Sequence, residues 1–251
     1  MTIKTNSRSN FVSNLTKTAA AFVLLSLSAC DASPEAGAND GLAITGASAP
    51  SLGAAAGFAV LGASTVTCTG ASAVTGDVGV SPGTGITGFN PPCTIAGAIH
   101  PGDAQAVQAH ADLATAYAGL AAAACEHNLT GQELGGQTLA PGVYCFDTTA
   151  GITGALTLDA RGNSAAAWIF QMGSAITTAT GSSVVLAGGA KAGNVFWKAG
   201  SAATIGTATA FQGSLLASAT VTMVGGSSLA GRALSVNAAV TLDNNRITLP
   251  N

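Results

Sequence analysis

Threonine is the residue type whose spacing in this chain could do work. A short phrase, an apolar residue, then Thr, then usually another apolar residue, recurs through the second half. It reads Leu156-Thr157-Leu158, Ile176-Thr177-Thr178, Ala203-Thr204-Ile205, Val221-Thr222-Met223 and Val240-Thr241-Leu242. In a strand, alternate side chains point to opposite faces, so the flanking aliphatics can share a core while each Thr points outward. Stacked strands would then carry a ladder of hydroxyls and methyls about 4.7–4.9 Å apart. The methyl orders nearby water without competing for its hydrogen bonds, and the hydroxyl anchors it. The chemistry implied is the ordering of water at a surface.

Residues suited to covalent chemistry are scattered. Asp77, Asp103, Asp112, Glu126, Glu133, Asp147, Asp159 and Asp243 form no paired-carboxylate motif, and His100, His110 and His127 flank or ride one helical stretch. No GxSxG-type elbow marks a nucleophile. No CxxC or HxxxH spacing marks a metal site. The sequence therefore predicts neither an enzyme nor a cofactor.

Charged residues make up only 8% of the 251 residues, against roughly 25% in ordinary globular domains. Nothing is basic enough to attract nucleic acid. The scarcity is sharpest over residues 164–230, where Lys191 and Lys198 are the only charged side chains. An uncharged surface holds no tight hydration shells that would resist an ordered water layer.

Residues 1–29 read as a targeting segment. Lys4, Arg8 and Lys17 precede a short apolar run, Ala19 to Leu27, which is too short to span a bilayer. The run ends in Leu27-Ser28-Ala29-Cys30, similar to a bacterial lipobox, which predicts acylation of Cys30, export and a membrane anchor. Removal of residues 1–29 takes the basic residues from 8 to 5 and the formal charge from −3 to −6. Residues 30–51 read as lipidated Cys and linker, and residues 52–251 as the folded domain. Four cysteines remain, an even number in an exported chain, which reads as disulfides. Of the three pairings, Cys68–Cys93 and Cys125–Cys145 close local loops and are preferred.

The elements that must position the threonines follow from spacing and turn signals. Taking the central Thr as marker, successive phrases lie 20, 27, 18 and 19 residues apart. A unit near 20 residues suggests a solenoid whose coils each supply strands to several faces. Trp168-Ile169-Phe170-Gln171-Met172-Gly173-Ser174-Ala175 aligns with Val195-Phe196-Trp197-Lys198-Ala199-Gly200-Ser201-Ala202 at an offset of 27. Thr180-Gly181-Ser182-Ser183, Thr207-Ala208-Thr209-Ala210 and Gly225-Gly226-Ser227-Ser228 fall in register downstream, giving each coil a second small-polar segment. Earlier, Phe58–Leu61, Thr65–Thr67, Ala73–Thr75 and Val78–Val80 are short strand-like runs. One helix is predicted over residues 103–124, opened by Pro101-Gly102-Asp103. Val107, Ala111, Ala114, Tyr117, Ala118 and Ala121 form its expected packing face.

Several blocks resemble the ice-binding-protein-like family, the DUF3494 domain. They are Val74-Thr75-Gly76-Asp77-Val78-Gly79-Val80-Ser81-Pro82-Gly83, Ile99-His100-Pro101-Gly102-Asp103-Ala104, Leu139-Ala140-Pro141-Gly142-Val143-Tyr144, Trp168-Ile169-Phe170-Gln171, Asn194-Val195-Phe196-Trp197 and Gly231-Arg232-Ala233-Leu234. They occur in the family's order and span about residues 52–249. The resemblance implies a discontinuous right-handed β-solenoid of triangular section with one long helix alongside. It also implies adsorption to ice through one flat face, giving thermal hysteresis, inhibition of recrystallisation or attachment to ice. Some bacterial members carry a T-A/G-X-T/N motif on that face. Thr207-Ala208-Thr209-Ala210 and Thr180-Gly181-Ser182-Ser183 match it in part, ending in Ala210 and Ser183.

The preferred face on this reading comprises Thr180, Gly181, Ser183, Thr207, Ala208, Ala210, Gly226 and Ser228. The ladder Thr157, Thr177, Thr204, Thr222 and Thr241 is the second choice. The partners expected are an ice surface and, through Cys30, a membrane, with the domain itself monomeric. The alternative is a cell-surface adhesin or glycan-binding module, for which exposed Trp168 and Trp197 would supply stacking platforms. Their register with apolar strands predicts burial instead.

Overall fold

The computed structural model describes residues 48–250. The predicted targeting segment, Cys30 and most of the predicted linker lie outside the described residues. Leu52, the expected start of the domain, is buried and leads into a single 3-10 turn, Gly53–Gly57.

From Phe58 onward the chain winds into coils whose strands pair only in parallel, building a three-sided solenoid. The first side holds seven short strands in the order Ala150–Ile152, Ile176–Thr178, Ala203–Ile205, Val221–Met223, Val240–Asp243, Thr65–Thr69 and Gly85–Thr87. We call it the threonine face. A second side, the helix face, runs from His127–Asn128 through Gly142–Phe146, Trp168–Met172 and Val195–Ala199. It continues through the second halves of Ala210–Ala217 and Ser228–Ser235 to Phe58–Gly62, Asp77–Val80 and Ile99–Pro101. The third face carries Ala155–Asp159, Ser183–Ala187, the first halves of the two long strands, Arg246–Thr248, Ala73–Thr75 and Thr94–Ala96. The predicted 27-residue offset is realised as strand register, Trp168 opposite Val195 and Met172 opposite Ala199.

The solenoid is discontinuous. The first coil pairs on one side with the last, Leu61 opposite Leu234 and Thr67 opposite Thr241, and on the other with the strands that follow it. The N-terminal coil is thus an interior rung, locked between neighbours from opposite ends of the chain.

The core is the stack of inward side chains. Tyr144, Phe170 and Trp197 occupy successive rungs with stacked rings, 5.3 and 3.9 Å between centroids, and Phe211 closes the pile. The two long strands bend between faces at Gly213 and Gly231. A Cβ on Gly231 would lie 1.8 Å from the Gly213 carbonyl oxygen, so the coils can nest at that corner only because neither residue has a side chain.

Helix α1, Ala104–Ala122, lies along the helix face. Asp103 caps it, its carboxylate accepting from Ala106 N, which holds the Asp103 carboxyl below its ordinary pKa. The buried stripe is Ala106, Ala109, Leu113, Ala116 and Leu120, the last four packed with Phe58, Leu61, Val143, Ile169, Phe196, Leu216 and Leu234. This corrects the expected stripe. Val107 is 53% exposed, Ala111, Ala114, Ala118 and Ala121 face solvent, and Tyr117 is half-buried. An alanine-rich helix offers two stripes of equal spacing; the one holding Leu113 and Leu120 buries more apolar area and wins. Gln171 donates to the Leu120 and Ala123 carbonyls, satisfying the end of the helix from the sheet below.

Candidate functional site

On the threonine face the strand register aligns Thr177, Thr204, Thr222, Thr241, Thr67 and Thr87, one per rung, with Gly151 beyond Thr177. At the usual spacing of parallel strands the six span about 24 Å. The residues on either side of each Thr point inward: Ile176, Ala203, Val221, Val240 and Val66 are fully buried. Two positions before the threonines lie Ala175, Ala202, Thr220, Ala239 and Thr65, carrying the outer edge of the same surface. Among the described residues, the Thr177, Thr204, Thr222 and Thr241 hydroxyls make no intramolecular hydrogen bond and are left to water, while Thr87 Oγ1 reaches Thr67 Oγ1 at 3.4 Å. Among the described residues, charge enters only at the rim, at Asp243 beside Thr69 and at Glu133 over Gly151.

Thr157 does not belong to this ladder. It lies on the third face, between Thr138 and Val185. The apolar-Thr-apolar phrase marks any strand with an exposed centre, and the step from Thr157 to Thr177 is a turn from one side of a coil to the next. Sequence reasoning missed Thr67 and Thr87, although Val66-Thr67-Cys68 carries the same phrase; both join the ladder through the discontinuity in coil order.

The structure does bring the other predicted set together, at the corner between the threonine and third faces. Gly181 N donates to Thr207 O, Ala208 N to Gly225 O and Gly226 N to Asn244 O, stacking the turns in register. Gly181, Ala208, Gly226 and Asn244 share left-handed backbone, with φ of 71°, 54°, 75° and 52°. Thr180 and Thr207 point out from the turns, and Ser183, Ala210 and Ser228 begin the third face side by side. The predicted set therefore forms a ridge: Thr180, Gly181, Thr207, Ala208 and Gly226 lie in the turns, and Ser183, Ala210 and Ser228 begin the strands of the third face. Ser182, Thr209, Ser227 and Asn245 point inward and hold the ridge. Ser182 Oγ donates to Ile152 O, Thr209 Oγ1 to Ala179 O, and Asn245 Nδ2 to Val224 O.

The third face is less uniform than the threonine face. One column reads Ala155, Ser183, Ala210, Ser228, Arg246, Ala73 and Thr94; beside it Thr157 pairs with Val185, and Gln212, Ala230, Thr248, Thr75 and Ala96 follow in register with one another. A concavity of about 490 Å³, walled by Leu186, Lys191 and Leu249, opens over Gln212, Ala230 and Thr248 of that second column.

The remaining candidates are accounted for structurally. Trp168 and Trp197 are fully buried and supply no platform for a sugar ring. The carboxylates serve backbone donors at turns: Asp77 accepts from Ala98 N, Asp112 from Ala54 N, Glu126 from Val143 N, and Glu133 from Thr153 N. His100 Nδ1 lies 2.8 Å from Asp103, and His110 contacts the Val236 carbonyl. Burial, with Glu126 nearby, pushes the Tyr144 phenol up to about 12, so it stays protonated and donates to Ala140 O. The disulfides are Cys68–Cys93 and Cys125–Cys145, the preferred pairing. No helix among the described residues is long and apolar enough to cross a membrane.

Known proteins with the same features were found by sequence and by structure. A profile described as "Ice-binding-like" matches residues 60–248. An ice-binding protein of Nostoc sp. (strain HG1) is 49% identical over 185 residues, covering 73% of this chain and 68% of the relative. The crystal structure of an ice binding protein from an Antarctic Biological Consortium superposes with a TM-score of 0.80 at 42% identity, over 82% of this chain and 94% of the other. That of an ice-binding protein from the Antarctic ascomycete Antarctomyces psychrotrophicus gives 0.79 at 40% identity, over 81% and 100%. Solenoid, helix and aligned coils together place this chain in the ice-binding-like family.

Proposed function

We propose that the chain adsorbs to ice through its threonine face, restraining ice growth and recrystallisation. The observation that carries this reading is the column of six threonines aligned in one sheet. Sheet hydrogen bonding fixes the rungs in place before contact, so adsorption needs little further ordering of the protein. The hydroxyls hold water at a repeat set by the strands, and the methyls order the water between them. Adsorption of this kind needs no covalent step. The relatives named above carry ice binding in their names, which supports the same activity here. The ridge at Thr180, Thr207 and their neighbours borders the face at its corner with the third.

The test is growth arrest. A seed crystal held in a solution of the mature chain stops growing over a measurable interval below the melting point. Thr204→Tyr, which raises one ring above the centre of the column, removes that interval while the protein keeps its melting temperature. Arrest that survives Thr204→Tyr undiminished moves the site off this face.

The protein works as an exported monomer held at a membrane through Cys30. The basic and apolar order of residues 1–29, the Leu27-Ser28-Ala29-Cys30 tetrad and the two disulfides support this placement. Fatty-acid labelling of the native chain that persists in Cys30→Ser would refute the anchor. Sedimentation of the folded domain as a dimer would refute the monomer.

A further inference from the structure

The third face contains an array interrupted by one residue. Of the seven rungs in its first column, Ala155, Ser183, Ala210, Ser228, Ala73 and Thr94 are small and uncharged; the fifth is Arg246. Arg246 lies between Ser228 and Ala73 in register, so the backbone at this rung is as regular as at its neighbours. Its side chain is exposed and, among the described residues, joins no ion pair and no side-chain hydrogen bond. Ile247, the next residue, supplies the buried anchor of this rung. Nothing in the packing calls for a guanidinium here.

The physical consequence is local. A charged side chain standing among Ala and Ser keeps its own hydration and holds any flat solid away from its neighbours. The other charged position among the paired strands of this face is Asp159, at the margin, where its carboxylate accepts from Arg161 N. Arg246 alone splits the column into a run of four small residues and a run of two. The threonine face has no such break.

We propose that Arg246 is a specificity-determining residue that confines ice contact to the threonine face by interrupting a second, otherwise complete array. This inference rests on ice adsorption as the activity. Replacing Arg246 by Ser makes all seven rungs of this column small and uncharged, and the column becomes a second adsorbing array.

The experiment compares the parent chain, Arg246→Ser, Arg246→Ala and Arg246→Lys on single-crystal ice hemispheres with fluorescent labelling, together with thermal hysteresis at equal molarity. Arg246→Ser and Arg246→Ala should mark ice planes that the parent leaves dark and raise the hysteresis, while Arg246→Lys should match the parent. Adding Ala210→Tyr to Arg246→Ser should remove the gained planes, and adding Thr222→Tyr should leave them. Melting temperatures of the variants establish that each is folded. A parent that adsorbs with Arg246→Ser and Arg246→Ala marking the same planes at the same hysteresis overturns the role of Arg246 and leaves the functional reading standing. If neither parent nor variants adsorb, the functional reading itself fails.

Discussion

Two sides of this molecule are built from the same coils and meet opposite fates. On the helix face the outward side chains include Val143, Ile169, Phe196, Leu216, Leu234 and Leu61, and α1 buries them. On the threonine face the corresponding outward column is threonine, and it stays open. Each buried aliphatic on the first side stabilises by about 1.5–3 kcal/mol relative to exposure, which is why that side must be covered. Threonine keeps a methyl and adds a hydroxyl, so the second side can remain uncovered without becoming a hydrophobic patch. One solenoid thereby separates its two tasks: the helix face supplies stability, and the threonine face supplies a surface held rigid by that stability.

The largest expected effect breaks the covered side. Leu113 is fully buried between α1 and the sheet. Leu113→Ala should lower unfolding free energy by about 2–5 kcal/mol in a denaturant titration, with ice adsorption per folded molecule unchanged. Thr222→Ala, by contrast, should shift stability by no more than about 0.5 kcal/mol while weakening adsorption. Equal stability losses at both positions would erase the division of labour.

A smaller effect sharpens the boundary of the open side. Ala208 sits at φ 54°, where its stacked neighbours Gly181 and Gly226 pay no steric penalty. Ala208→Gly should raise stability by about 0.5–1 kcal/mol in the same titration. For the same reason a bulky probe of the ridge belongs at Ala210, which begins a strand, rather than at Ala208.

The smallest effect is acid dependence at the end of α1. The folded-state pKa of Asp103 lies below its ordinary value, chiefly through the bond from Ala106 N and then through His100. A depressed carboxylate contributes stability that is present above the unfolded pKa and is lost as pH falls through the folded one. Asp103→Asn retains a capping oxygen but cannot titrate, so the fall in melting temperature on acidification should be shallower in the variant. An unchanged acid limb would assign that dependence to other carboxylates.

Much of the architecture was legible because it depends on local signals. Alternation at Val221-Thr222-Met223, the opening at Pro101-Gly102-Asp103 and the 27-residue offset each sit within a few residues or one coil. What was not legible depends on which side of a coil a strand occupies. Thr157 reads like Thr177 because every exposed strand centre alternates the same way; only its pairing with Thr138 and Val185 reveals a different face. Thr67 joins Thr241 because the first coil is inserted beside the last, a long-range choice that no window of sequence displays. The ridge residues were found as a group, but the left-handed turns that bend them around a corner are a property of stacked backbone. The buried stripe of α1 was misread because alanine lines both sides of the helix, leaving two leucines to decide.

The central proposal is that ice is met at the aligned threonines. Fluorescently labelled protein adsorbed to a single-crystal ice hemisphere tests it directly. The account predicts discrete bright planes for the parent chain and a dark hemisphere for folded Thr222→Tyr. Bright planes that persist unchanged in Thr222→Tyr and vanish in Ala210→Tyr would contradict it.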